Sequence, residues 1–289
     1  MQQVLDMMAQ SALNELTGTV LNKSQATGEA NYKLALTLPI DQLNSSKVEG
    51  SVTFANNALQ IIPGTPVLNR TRGSLQFSEQ GFQLKGVQAQ LLGGDATLDG
   101  GLSFVGGEDK SPLQLKINGD LTADGLRQAR ELGFVSRLAL RANGKSSYSA
   151  TVGLRRGQPE LLISSDLKGM ALSLPAPLNK SAATAMPLRI ESQLTRESLQ
   201  PKARVLHDQI KVTLDRLVSV TYVRDLSGSR PRVLRGGIAV GQAVADATPM
   251  RDNAVSLSLR LPMVDLDAWN ITLTQLTGTS PVKRKAAQK

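Results

Sequence analysis

The chain has 289 residues, enough for one large or two ordinary domains, with no cysteine, one histidine and a formal charge of +9. This excludes a disulfide framework, thiolate metal sites, thiol nucleophiles and multi-histidine metal centres. Aromatic residues make up 3% of the chain, so any apolar face is built from Leu, Val, Ile and Ala. Such a lining suits an ordinary core and equally suits flexible acyl chains.

Residues 1–16 read as a helix, with Leu5, Met8, Ala12 and Leu16 at offsets of three and four before Gly18. A period of two then takes over. Tyr32, Leu34, Leu36 and Leu38 alternate with Lys33, Ala35 and Thr37. Strand side chains point to opposite faces in turn, so each such segment has one apolar and one polar face. Breaks follow at Pro39, Asn56-Asn57, Pro63-Gly64, Gly93-Gly94 and Gly106-Gly107. Gly81, between Leu75, Phe77 and Phe82, Leu84, marks a hairpin. Beyond it the apolar parity slips from Phe82 and Leu84 to Val87, Ala89 and Leu91, with Gly86 at the change. A glycine there predicts a bulge that bends and twists the sheet toward a trough.

Leu113, Leu115 and Ile117 continue the alternation. A short helix is expected over 124–132, capped by Thr122 or Asp124 and stopped by Gly133. Strands are expected to resume at Leu138 and Leu140, then through Ala150, Val152 and Leu154. Pro175 to Pro187 reads as a loop, followed by strands at Ile210, Val212, Leu214 and at Val218, Val220, Tyr222. Val255, Leu257, Leu259 and Leu261 form the last alternating segment. The run Lys283, Arg284, Lys285 and Lys289 lies on a tail, 280–289, read as basic and disordered. A glycine four residues before a tyrosine occurs at Gly28–Tyr32 and again at Gly144–Tyr148, a hint of repetition.

The expected fold is mainly β: an elongated, twisted, mostly antiparallel sheet of about a dozen strands, curved into an apolar groove, with one or two short helices. The alternation equally permits two sheets packed into a closed sandwich. No window approaches the roughly 18 apolar residues of a membrane span, and residues 1–16 are not a signal peptide.

Catalytic chemistry finds little footing. Asp265-Leu266-Asp267 reads as a turn or strand end with solvated acids. His207 and Asp208 are adjacent and would point to opposite faces of a strand. The glycine pairs open strands, so they do not form a phosphate cradle. Trp269 reads as a packing anchor. No basic stripe is interleaved with stacking aromatics, so nucleic acid is not expected as a partner. The expectation is no enzyme activity, no catalytic residues, no metal and no cofactor.

Particular words of the chain go further. Gly73-Ser74-Leu75-Gln76-Phe77-Ser78-Glu79-Gln80-Gly81-Phe82, followed by Ala89-Gln90-Leu91-Leu92-Gly93-Gly94, resembles the repeat of the bacterial AsmA-like envelope proteins. Ser164-Ser165-Asp166-Leu167-Lys168-Gly169-Met170, then Leu174-Pro175-Ala176-Pro177-Leu178-Asn179-Lys180, is more narrowly similar to the YhdP branch. So is Leu261-Pro262 running into Asp265-Leu266-Asp267-Ala268-Trp269. The resemblance implies a periplasmic β-structure, attached to the inner membrane through a segment absent from this chain, that carries phospholipid between the two membranes along an apolar groove.

On that view the chain is an internal fragment: 1–120 a β-rich AsmA-like groove segment with an N-terminal helix, 121–279 its YhdP-like continuation, and 280–289 the tail. Expected partners are phospholipid acyl chains, the membrane-anchored parent chain and other envelope proteins. Candidate groove residues are Leu34, Leu36, Leu38, Leu84, Leu91, Leu113, Leu115, Ile117, Leu138, Leu140, Val152, Leu154, Leu257 and Leu259. The alternative is an envelope scaffold whose apolar face is buried in a closed sandwich.

Overall fold

The computed structural model describes residues 6, 24–37, 47–62, 64–103, 112–200, 202–228, 230–241 and 250–277. Apart from Asp6, which is helical, the expected N-terminal helix lies outside the described residues, as do Leu38 and the basic tail.

Strands dominate, as the alternation predicts. They are β1 (Gln25–Thr27), β2 (Ala30–Thr37), β3 (Lys47–Gln60), β4 (Leu68–Ser78), β5 (Gly81–Leu91), β6 (Gly93–Ser103) and β7 (Leu113–Thr122). After a helical insertion come β8 (Ala142–Arg155), β9 (Gln158–Ser165), β10 (Met170–Leu172), β11 (Leu188–Leu194), β12 (His207–Leu214), β13 (Val218–Asp225), β14 (Arg232–Gly241) and β15 (Val255–Arg260). All fifteen belong to one sheet with the order β1-β3-β4-β5-β6-β7-β8-β9-β11-β12-β13-β14-β15, with β2 also on β3 and β10 on β8. Every pairing is antiparallel except β14 with β15. The order never returns on itself, so the closed sandwich is not formed.

A line of bulges crosses the first half. Register slips on either side of Asn57 between β3 and β4, near Arg72 between β4 and β5, and at Leu84/Val87 between β5 and β6. The last is the parity change expected at Gly86, which takes φ +56. Opposite it, Gly73 (φ +111) lets two backbones close in: a Cβ there would lie 2.5 Å from the Gly86 carbonyl oxygen. Asn57 pins the first bulge. Its amide Nδ2 donates to the carbonyls of Thr27 and Glu29 at 3.0 Å each, and its Oδ1 accepts from Ala55 N–H. Repeated bulging adds twist and bends the sheet.

Helix α1 (Ala123–Gln128) follows β7, capped by the Thr122 hydroxyl, which accepts from Gly125 N–H at 2.9 Å. A 3₁₀ turn (Arg130–Leu132), helix α2 (Phe134–Leu138) and a second 3₁₀ turn (Ala139–Arg141) then lead to β8. The strand expected to resume at Leu138 therefore begins at Ala142. The alternation of Leu138 and Leu140 is overridden because Arg127 gathers this stretch onto α1, donating to the carbonyls of Ala139 and Ala142 at 3.0 Å each.

A third helix, α3 (Leu266–Thr277), stands where a turn or strand end was expected. Asp265 starts it, its carboxylate accepting from Ala268 N–H at 2.9 Å. Both helical units sit at the same end of the sheet, where β7 ends, β8 begins and β15 leaves. There the Trp269 indole N–H donates to the Ala176 carbonyl at 2.9 Å, and Arg141 reaches the Gln275 side chain. The loop expected at Pro175–Pro187 carries that acceptor. It is tied down by Lys180, a buried residue whose ammonium donates to the carbonyls of Leu167, Met170 and Ser181.

Candidate functional site: an apolar sheet face

Directly paired residues in a sheet point to the same side, so the registers trace which side chains share a face. One row runs Tyr32–Val52–Leu75–Leu84–Gly100–Leu115–Val152–Leu161. It continues through Ser192, Ile210, Tyr222 and Gly236 to Val255 on the last strand. The next row runs Val87–Leu98–Ile117–Ala150–Ile163–Ile190–Val212–Val220–Ile238–Leu257. A third passes through Leu188, Leu214, Val218 and Val240 to Leu259. One apolar face thus continues across the whole sheet, while Gln114, Lys116 and Asn118 mark its polar reverse.

How far this face is covered decides what it is. In β7, Leu113, Leu115 and Ile117 are half-buried, and Gln114, Lys116 and Asn118 are exposed. Val152, Leu154, Leu161, Ile163, Ile190, Val212, Val220 and Ile238 are all half-buried as well. Side chains sealed between two packed layers would be excluded from water; these are shielded mainly by one another. At the edges the face lies bare: Leu34 is 61% exposed and Leu36 55%, and on β15 Leu257 is 62% and Leu259 57%.

Cover is local. Under the helical end, Leu126 of α1 packs on a buried cluster of Leu121, Ala123, Ala142, Tyr148, Ala150 and Met170. A second cluster, including Val52, Phe54, Leu59, Val87 and Leu98, lies where the bulges fold the first strands together.

Eleven of the expected groove residues share this face: Leu34, Leu36, Leu84, Leu91, Leu113, Leu115, Ile117, Val152, Leu154, Leu257 and Leu259. Leu138 and Leu140 do not, because they belong to the helical cap, where Leu140 is exposed. Ile163, Ile190, Val212, Val220 and Ile238, which were not among the groove candidates although Val212 and Val220 were expected in strands, form the middle of the second row. Their period-two spacing was the available signal.

The sequence reading also passed over a charged pair at apolar parity. Asp208 shares its side of β12 with Ile210 and Val212, and pairs across to Arg224, which shares its side of β13 with Tyr222 and Val220. The carboxylate is buried; Arg224 Nε donates to Asp208 Oδ1 at 3.0 Å, and a second bond closes a bidentate fork.

His207 and Asp208 point to opposite faces, so they form no base–acid pair. Asp265 caps a helix and Asp267 occupies its first turn. Among the described residues no group of three or more His, Cys, Asp or Glu is placed to hold a metal, and no helix is long and apolar enough to cross a membrane.

A family model described as YhdP protein matches residues 1–289. The chain belongs to the YhdP family. Neither the curated proteins nor the solved structures contain a match. YhdP membership is consistent with a role in an envelope protein, and the YhdP family is not a known enzyme family.

Proposed function

We propose that this chain is a non-enzymatic, lipid-conducting segment of an envelope protein that works in the periplasm. In this reading phospholipid acyl chains lie on the apolar face and pass along it from strand to strand between the inner and outer membranes. The observation that carries the reading is the face itself: apolar from β2 to β15, half-buried over β9–β14, bare on β2 and β15, and not closed by a second sheet among the described residues.

The energetics agree. Moving an acyl chain of about sixteen carbons from a bilayer into water costs on the order of 12 kcal/mol, at roughly 0.8 per CH₂. A conduit must replace most of that loss at every point along the path. Thirteen strands lie on the main path of the sheet. At a spacing of about 4.8 Å they give an apolar track of roughly 58 Å, against about 15 Å for one leaflet of hydrocarbon core. Aliphatic side chains offer contact without fixed polar anchors, so a chain held there slides rather than locks.

Native mass spectrometry of the purified protein should show bound phospholipid. Leu115→Asp, which places a charge in the track, should abolish that binding, and Gln114→Asp on the opposite face should leave it intact. Equal effects from the two variants in folded protein would defeat the reading.

A further inference from the structure

The bidentate Asp208–Arg224 ion pair on the apolar face is out of place there on stability grounds. Replacing a buried ion pair with apolar residues of similar volume is often neutral or stabilising, so such a pair is weak evidence of a structural role. Its surroundings are specific. Asp208 is 5% exposed, Arg224 Nε donates to its Oδ1 at 3.0 Å, and the Ser192 hydroxyl lies 3.5 Å from Oδ2. All three belong to the apolar side, with Leu194 opposite Asp208. Register slips between Val223 and Arg224 on the β14 side, and bulges of this kind re-aim a side chain. The group stands at the end of the sheet opposite the helices, beside the 195–206 turn, where the Ser198 hydroxyl accepts from His207 N–H at 2.7 Å.

We propose that Asp208 and Arg224 form a subsite for a zwitterionic phospholipid headgroup bearing a primary ammonium. This rests on the lipid-conducting reading above. The chemistry is an exchange of partners that conserves charge. The guanidinium fork turns from the Asp208 carboxylate to the phosphate, whose geometry it matches bidentately. The freed carboxylate, with Ser192 beside it, accepts hydrogen bonds from the ammonium. Two ion pairs become two ion pairs, so neither charge is left stranded in an apolar setting. A trimethylated ammonium has no N–H to donate to Asp208, and a glycerol headgroup brings no cation to answer it.

The test places a photocrosslinking residue at Leu115, distant from the pair on the same face. The full chain is then mixed with vesicles of equal parts phosphatidylethanolamine, phosphatidylcholine and phosphatidylglycerol. Captured lipid is identified by mass spectrometry. Phosphatidylethanolamine should be enriched about five-fold over each of the others. In Asp208→Leu/Arg224→Met the enrichment should vanish while total capture stays within about two-fold. Should that variant not fold, Arg224→Lys, which keeps the charge and loses the bidentate fork, should likewise lose the enrichment. Indiscriminate capture, or a preference that survives the double substitution, overturns the subsite and leaves the lipid track standing. Absence of any captured lipid overturns the track itself.

Discussion

Asn57 and Tyr148 are both buried, and their polar atoms meet opposite fates. The Asn57 side chain makes three hydrogen bonds that hold the first bulge, so Asn57→Ala strands two carbonyls and an N–H. At about 1–3 kcal/mol for leaving a buried group unsatisfied, a loss of about 3 kcal/mol in urea denaturation is expected. The Tyr148 hydroxyl has no partner among the described residues, so Tyr148→Phe should be neutral or stabilising by about 1 kcal/mol. Burial pushes the Tyr148 phenol up to about 12 from its usual 10. Because the folded form resists ionisation, its contribution is fully present below pH 10 and is lost as pH rises toward 12. Denaturation at pH 9 and 11.5 should therefore show wild type losing stability relative to Tyr148→Phe.

At the scale of elements, the bulges and the helical end set the shape of the face. Gly73→Ala drives a Cβ into the Gly86 carbonyl and should destabilise severely, whereas Gly86→Asn meets open space in a left-handed conformation that Asn tolerates. A circular-dichroism melt separates the two; similar melting would refute the role given to the close approach. Asp265→Ala removes the cap of α3 and should cost about 1 kcal/mol, read as faster amide exchange over 266–277.

The Gly81 hairpin and Gly86 bulge were legible because glycine and a parity change are local signals. Helix α3 was legible in principle: Leu266, Trp269, Leu273 and Leu276 repeat at helical spacing behind Asp265, but the short polar run hid the period. Leu138 and Leu140 were not, because two leucines two apart suit a strand, and only the long-range bonds from Arg127 decide otherwise. The Asp208–Arg224 pair needed the register of β12 with β13, which no single strand contains.

At the scale of the molecule, one sheet runs from β2 to β15, and among the described residues no second sheet packs on its greasy side. An apolar face of this extent, half-buried in its middle and bare at both ends, calls for an occupant, and flexible acyl chains match an aliphatic lining spread over many strands. The account also requires that the occupant touch one face alone. The most direct measurement installs a photocrosslinking residue at each position from 113 to 118 of β7 and assays lipid capture from vesicles. The account predicts capture at 113, 115 and 117 and little at 114, 116 and 118, a period of two matching the burial of the strand. Capture without that period, or none at any position in folded protein, would contradict it.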